Sequence, residues 1–356
     1  RQMCIRDRDK NGHLYKVNSF DFYRCEDTIK LADDPDYNQE KFEGMLEIKG
    51  DSDHTKLIEM LDALNDESQK IDDVLDTYFD TENLVYWMAF QILTGNCDTQ
   101  NRNCYLYSPL NSNTWYFLDW DNDGMLRKLE LSLKGFSDYA SWERGVSNYW
   151  GNVLFNRALR SKSFRSELDS AVKDLRSYMT EARLAKMIRH YREVTESLVF
   201  ASPDIDNLPV TKDEYERIAA AIPSEIEENY QSFRESYKKP MPFYIGVPQI
   251  DNGKLRINWD ASYDFKARDI RYTVELARDY AIKDVVFKAE DVLLPEVTCD
   301  APDAGQYFVR VRATNSDDYT QDAFDYYVTD DGKQYGMKCF YVQDGGKVVE
   351  DTYEEG

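Results

Sequence analysis

The chain has 356 residues, 42% of them hydrophobic, and a formal net charge of −23 from 67 acidic and 44 basic side chains. That length is about twice the usual domain size and predicts two folded units, each able to bury a core. The acidity repels phosphate backbones and anionic headgroups, which excludes nucleic acid as an expected partner. Six cysteines without a C-x-x-C pair indicate neither a disulfide framework nor a zinc centre. No run of 18 apolar residues forms a membrane span.

The opening RQMCIRDR shows no hydrophobic period, and residues 1–8 are read as a non-native terminus outside the fold. Short β-prone pieces and turns fill residues 10–50, with a strand at 13–17 after Asn11-Gly12. Asp53 is the expected cap of a helix with Leu57, Ile58, Leu61 and Leu64 on one face, and Ile71, Val74 and Leu75 mark a second, shorter helix. Residues 81–94 (TENLVYWMAFQILT) are apolar on nearly every face, which predicts a core helix ended by Gly95. The arms CYLY (104–107) and TWYFL (114–118) flank the turn-forming SPLNSN and predict a β-hairpin.

Amphipathic helices are expected at about 148–160, 163–177, 181–200 and 211–237, the last kinked or split by Pro223. Residues 238–242 (KKPMP) read as a linker. Beyond them the apolar period becomes two, in Leu255, Ile257 and Trp259, in Tyr272, Val274 and Leu276, and in Tyr307, Val309, Val311 and Ala313. Short strands with this alternation predict a β-sandwich. His13, His54 and His190 occur in no metal-ligand spacing and are expected at surface or helix positions.

The chemistry concentrates in residues 95–124, GNCDTQNRNCYLYSPLNSNTWYFLDWDNDG. Asp98 and Asn103 form an Asp-x4-Asn pair directly after the core helix, and Asp119, Asp121 and Asp123 follow the hairpin. With the turn centred near residues 110–111, Asn103 is expected opposite residues 118–119, so that the carboxylates just beyond share a cation with it. Phosphoryl transfer needs such a set: a carboxylate to accept the hydroxyl proton, and oxygen ligands for a divalent metal. No His-Arg pair precedes Asp98, and Trp120-Asp121-Asn122-Asp123 stands in place of Asp-Phe-Gly, which excludes an ordinary protein kinase. Asp119-x-Asp121-x-Asp123-Gly124 with Glu130 at loop position 12 also matches a calcium-loop pattern, but NTWYFL before it has a strand's alternation where that motif needs a helix. A partial second match is Asp7-x-Asp9-x-Asn11-Gly12.

Gly95-Asn96-Cys97-Asp98, Asn103-Cys104-Tyr105-Leu106-Tyr107 and Trp120-Asp121-Asn122-Asp123 resemble the "G-N-x-D", "N-x-Y-x-Y" and "W-D-x-D" phrases of the CotH kinases of bacterial spore coats and related surface proteins. The resemblance takes in GHLYK and KLIEMLDALN upstream and continues to about residue 237. It implies an atypical protein-kinase fold that uses ATP and Mg2+ to phosphorylate serines of other proteins, with Asp98 as catalytic carboxylate and Asp121 as metal ligand. Asn103 is the second metal ligand by kinase analogy, with Asp119 and Asp123 in support. The nucleotide-covering lobe and a phosphate-contacting cation are expected upstream of residue 10, so the fragment as written is expected to be inactive. GQYFVRVRATNS, with Trp259 on an earlier strand, resembles a fibronectin type III domain.

The expected class is therefore α+β: a mostly helical carboxyl-terminal kinase-like lobe with a catalytic β-hairpin at 9–240, then an immunoglobulin- or fibronectin-like sandwich at 241–356. The family resemblance implies an extracellular, cell-surface or spore-coat location and a protein substrate. The competing function is a noncatalytic surface or adhesion protein whose acidic loop binds Ca2+ or Mg2+.

Overall fold

The structure, a computed structural model, describes residues 11–135, 140–330 and 332–351. Residues 1–8, and with them Asp7, lie outside the described residues, as does Asp9. The chain divides into two compact units, one comprising residues 1–137 and 144–233, the other 138–143 and 234–356.

The first unit begins with β1 (His13–Val17), α1 (Gln39–Met45), β2 (Leu46–Ile48), α2 (Thr55–Asn65), α3 (Ile71–Tyr78) and α4 (Thr81–Thr94). The hairpin strands β3 (Cys104–Ser108) and β4 (Tyr116–Asp119) follow. After them come α5 (Lys128–Leu133), α6 (Val153–Arg160), α7 (Lys162–Tyr178), α8 (Glu181–Val199) and α9 (Lys212–Ser236). The hairpin is half of a four-stranded antiparallel sheet in the order β2-β1-β3-β4.

α4 is the core helix. Asp80 caps it by accepting from the Asn83 N–H, and Gly95 closes it in the left-handed region at φ +64°. Leu84, Trp87, Met88, Ile92 and Leu93 are buried, each side chain contributing about 1.5–3 kcal/mol by leaving water. Trp87 stacks on Phe155 of α6 at 5.9 Å and meets Phe117 of β4 at 4.8 Å, which joins helix and hairpin in one core.

Several details depart from the sequence reading. In the hairpin, Cys104 pairs with Asp119 and Tyr107 with Tyr116, so the turn centres one residue later than expected and Asn103 stands just outside the ladder. Lys56 Nζ donates to the carbonyls of Pro109 and Ser112, both at 2.6 Å, and fixes that turn from outside the hairpin. α9 is not split by Pro223, which lies inside it. A proline removes one intrahelical bond, and buried Ile226 and Phe233 anchor the turns that follow.

His54, rather than Asp53, occupies the cap position of α2, while Asp53 accepts from the Thr55 N–H and Oγ1. α6 starts at Val153 because the Asn152 side chain accepts from the Leu154 and Phe155 N–H groups; a 3-10 turn, Gly145–Tyr149, precedes it. His13 and His54 are buried, contrary to expectation. The Tyr15 and Tyr37 hydroxyls bond to the two ring nitrogens of His54 at 2.9 and 3.2 Å, which satisfies a polar ring inside the core.

The second unit is all β after the end of α9. Its strands are β5 (Gln249–Asp251), β6 (Lys254–Asn258), β7 (Ile270–Ala277), β8 (Val285–Val292), β9 (Glu296–Asp300), β10 (Gly305–Asn315), β11 (Thr320–Asp322), β12 (Tyr326–Thr329), β13 (Gly332–Tyr335), β14 (Met337–Val342) and β15 (Val348–Glu350). One sheet has the order β15-β14-β10-β7-β8 with β11 on β10, and another β5-β6-β9. Leu255, Ile257 and Trp259 share a core with Tyr272, Val274, Leu276, Val309, Val311 and Ala313. These are the residues whose alternation predicted the sandwich. Residues 238–242 are packed rather than loose: Met241 is fully buried and its backbone bonds to the Tyr263 carbonyl and the Ser262 hydroxyl. The whole is the mixed α+β architecture expected from the sequence.

Candidate functional site

The site grows from the carboxyl end of α4. Gly95 takes φ +64°, and a Cβ there would lie 2.5 Å from Arg144 Nη1 and 2.6 Å from Asn229 Nδ2, so side chains from two other segments occupy the space. The loop that follows has little regular structure, and its carbonyls are held by side-chain donors instead. Arg144 donates to Gly95 O at 2.7 Å, Asn148 to Cys97 O at 3.3 Å and Asn152 to Gln100 O at 2.8 Å, while Asn229 donates to Leu93 O, in the last turn of α4, at 3.0 Å. The Phe20 N–H donates to Asn101 O at 2.8 Å. Buried carbonyls require such partners, and supplying them from distant residues fixes the loop's path.

Asp98 projects from this loop. Its Oδ2 accepts from Asn103 Nδ2 at 2.9 Å, its Oδ1 lies 3.6 Å from Arg102 Nε, and its side chain keeps 55% exposure. Asn103 adopts φ +56°, a left-handed conformation that asparagine tolerates better than most residues. Desolvation holds the Asp98 carboxyl above the usual range; Arg102 and Asn103 oppose the rise, and the negative charges of Asp123 and Asp121 add to it.

Beneath the acidic turn lies a polar network that the sequence reading missed. Gln91 and Asn96 are almost fully buried. Gln91 Nε2 donates to Asp119 Oδ1 at 2.9 Å and to Asn122 Oδ1 at 3.3 Å, and Asn96 Nδ2 donates to Gln91 Oε1 at 3.0 Å and to Asn122 Oδ1 at 3.3 Å. Asp119 is thus turned toward α4, and desolvation raises its pKa against the Gln91 bond. Gln91 is the one strongly polar side chain within an otherwise apolar helix interior, which was the available signal. Gly124 completes the join: a Cβ there would meet Asn96 Oδ1 at 2.7 Å and Asp98 Cβ at 3.8 Å, so glycine lets the acidic turn press against the Asp98 loop. The Leu126 N–H donates to Thr94 O at 2.8 Å and ties the far side of the turn to α4.

The fold therefore joins Asp98 to Asn103 and brings Asp121 and Asp123 within electrostatic range of Asp98. Asp121 sits at φ +54° with its side chain exposed to solvent, just after the exposed Trp120. Among the described residues no three His, Cys, Asp or Glu side chains converge as a ready-made metal cage. Mg2+ asks for less, one or two carboxylates with water and substrate phosphates completing its shell. Desolvation is the larger cause of the raised Asp98 carboxyl, with the charges of Asp123 and Asp121 adding to it, and the side chains of Asp121, Asn103 and Asp123 offer oxygen donors of the kind such an ion takes. The calcium-loop pattern is not realised: a strand precedes it, and Glu130 is engaged by Arg127 at 3.0 Å and Lys134 at 2.7 Å. Cys97 and Cys104, which bracket the Asp98 loop, are not joined by a disulfide.

Among the described residues no helix is long and apolar enough to cross a membrane. No curated protein matches the chain. Compared with protein families, residues 4–233 match the family described as "CotH kinase protein". The match covers well over half the chain and includes both the Asp98 loop and the acidic turn, and the chain belongs to the CotH kinase family.

Proposed function

We propose that this protein transfers the γ-phosphoryl group of ATP, with Mg2+, to serine hydroxyls of secreted, surface or coat proteins. The observation that carries the reading is the half-exposed Asp98 carboxylate, oriented by Asn103 and backed by the Gly124 turn. Asp98 accepts the proton of the attacking serine hydroxyl, the role of the catalytic-loop aspartate in phosphoryl transfer. A raised pKa makes the ionised carboxylate a better base. Asp121 holds the divalent metal, with Asn103 and Asp123 beside it, and Asp119 supports the turn through Gln91. When bound, the metal supplies neutralisation of the phosphate charge.

Arg102 screens Asp98 on its outer side, and the three side-chain donors to the carbonyls of Gly95, Cys97 and Gln100 keep the carboxylate in place. The kinase-like domain spans 9–240 and the sandwich at 241–356 serves as a fibronectin type III-like spacer, an arrangement suited to a cell surface or spore coat.

The test is transfer of label from γ-labelled ATP to a serine-rich acceptor protein in the presence of Mg2+. Transfer by the protein that contains this chain, lost in Asp98→Asn and in Asp121→Ala, is the expected result. Transfer that survives Asp98→Asn unchanged overturns the reading.

A further inference from the structure

A lysine occupies a core-facing position in the second unit. Lys338 on β14 pairs with the fully buried Val309 of β10, and Phe340, two residues on along the same face, belongs to the sandwich core. The Lys338 side chain is only 15% exposed, and a lysine so placed requires a partner. Two carboxylates supply it. Asp325 Oδ1, from the segment between β11 and β12, stands 3.0 Å from Lys338 Nζ, and Glu350 Oε1 on β15 accepts from the same Nζ at 2.6 Å. The Asp325 side chain is 8% exposed and that of Glu350 32%.

The two acids are held differently. Asp325 Oδ2 accepts from the Ile245 N–H at 2.7 Å, and the Asp325 carbonyl accepts from the N–H groups of Gly336 and Met337 at 2.7 and 3.2 Å. One oxygen of the carboxyl is thus polarised by a backbone donor, while the other faces the amine. Desolvation raises this carboxyl, against the Lys338 charge and the Ile245 bond. On Lys338 desolvation acts downward, but the charges and bonds of Asp325 and Glu350 outweigh it, so the amine starts protonated. Burying such a pair costs the desolvation of both ions, and a neutral amide in its place removes both charges. Contact between amine and carboxyl also makes their reaction unimolecular.

We propose that Lys338 and Asp325 condense to an intramolecular amide, with Glu350 as the proton carrier. The ammonium passes one proton to Asp325 Oδ1, and the neutral amine attacks Asp325 Cγ while the Ile245 N–H stabilises the charge developing on Oδ2. Glu350 takes a second proton from the nitrogen and delivers it to Oδ1, which leaves as water. The C=O bond re-forms at Oδ2, the third proton stays as the amide N–H, and Glu350 returns to its carboxylate. One ammonium and one carboxylate thus give one amide and one water, with no oxidant or co-reactant. The link closes residues 325–338, with β12 and β13 between them, into a covalent loop. It is independent of the phosphotransferase reading.

The experiment is intact-mass spectrometry of the purified full chain under denaturing conditions, followed by tryptic peptide mapping. The wild type is expected to weigh one water less than its sequence, with a branched peptide joining Lys338 to Asp325. Lys338→Met and Asp325→Ala are expected to keep their full sequence masses. Glu350→Gln retains both reacting groups and is expected to form the link about 10²-fold more slowly, the lower end of what a positioned general acid and base contributes. Its mass is read as purified and after incubation, with circular-dichroism melting to establish that it is folded. A wild type that keeps its full sequence mass, or a water loss that maps to other residues, overturns the proposal whether or not the variants fold. A folded Glu350→Gln that condenses as fast as the wild type overturns the role given to Glu350.

Discussion

Asn103 Nδ2 donates to Asp98 Oδ2 at 2.9 Å across a loop that spans five residues of chain. The bond exists because Asn103 turns into the left-handed region at φ +56° just before β3 begins, which brings its amide back over the loop. It fixes one carboxylate oxygen and leaves the other toward Arg102 and solvent.

Replacing Asp98 should separate activity from stability. Desolvation and the nearby charges of Asp123 and Asp121 make the ionised carboxylate unfavourable in the folded chain, so Asp98→Asn removes a repulsion and is expected to raise the melting temperature. Phosphotransfer should fall by about 10²–10⁴, the usual worth of a positioned general base. A lower melting temperature with activity retained contradicts the assignment. In the wild type, the transfer rate should decline as pH falls through an apparent pKa above the ordinary carboxylate range, because the base must be ionised.

Asn148 tests the loop's scaffold. Its side chain donates to the carbonyl of Cys97, the residue before Asp98, at 3.3 Å. Asn148→Ala is expected to lower kcat by about 10- to 100-fold through misplacement of the base, with the KM for ATP little changed. Steady-state kinetics over a range of ATP concentrations read the two parameters apart; a rise in KM at constant kcat would show that the loop positions nucleotide instead.

Gly95→Ala places a Cβ at φ +64° against Arg144 and Asn229. Left-handed strain and displacement of both donors should cost about 1–3 kcal/mol. Urea denaturation followed by tryptophan fluorescence measures this, and the same variant should lose phosphotransfer because Asp98 lies three residues on.

Acid stability should reflect the buried histidines. Burial lowers the pKa of His54, and burial followed by the Lys56 charge lowers that of His13. The unfolded chain takes up these protons near pH 6.5, about the free-imidazole value, while the folded chain does so only at lower pH. The unfolded state thus binds more protons in that window, so stability is full above it and declines as pH falls. Raised carboxyls such as Asp98, Asp119 and Glu225 act with the opposite sign, adding stability as pH falls through their folded values. Between about pH 7 and 5.5 the histidine effect should dominate. The urea midpoint is expected to drop over that range, and His54→Gln should start lower and vary less; an equally steep decline in the variant assigns the acid sensitivity to another group.

The legible parts of this chain are those with short-range causes. α4 could be bounded from its sequence because its apolar residues cover nearly every face and Gly95 ends it, and both signals act within one or two turns. β6, β7 and β10 were equally plain, since alternation along a strand records which side chains face a core. Asp98, Asn103 and Asp121 could be singled out as candidates because loop and hairpin lie within 30 consecutive residues, 95–124.

Other features depend on contacts between distant positions. α1 is seven residues long and buries only Phe42, too little for a period to appear. The hairpin's register follows from Lys56 gripping its turn, and the burial of His54 from hydroxyls contributed by β1 and by Tyr37. Gln91, Asn96, Asn122 and Asp119 become one network only when α4 and the acidic turn meet, and Lys16 reaches Trp120 only because β1 pairs beside β3. Local propensity and periodicity are written in the chain itself, whereas the partners of buried polar groups are settled by which distant segments the fold brings together.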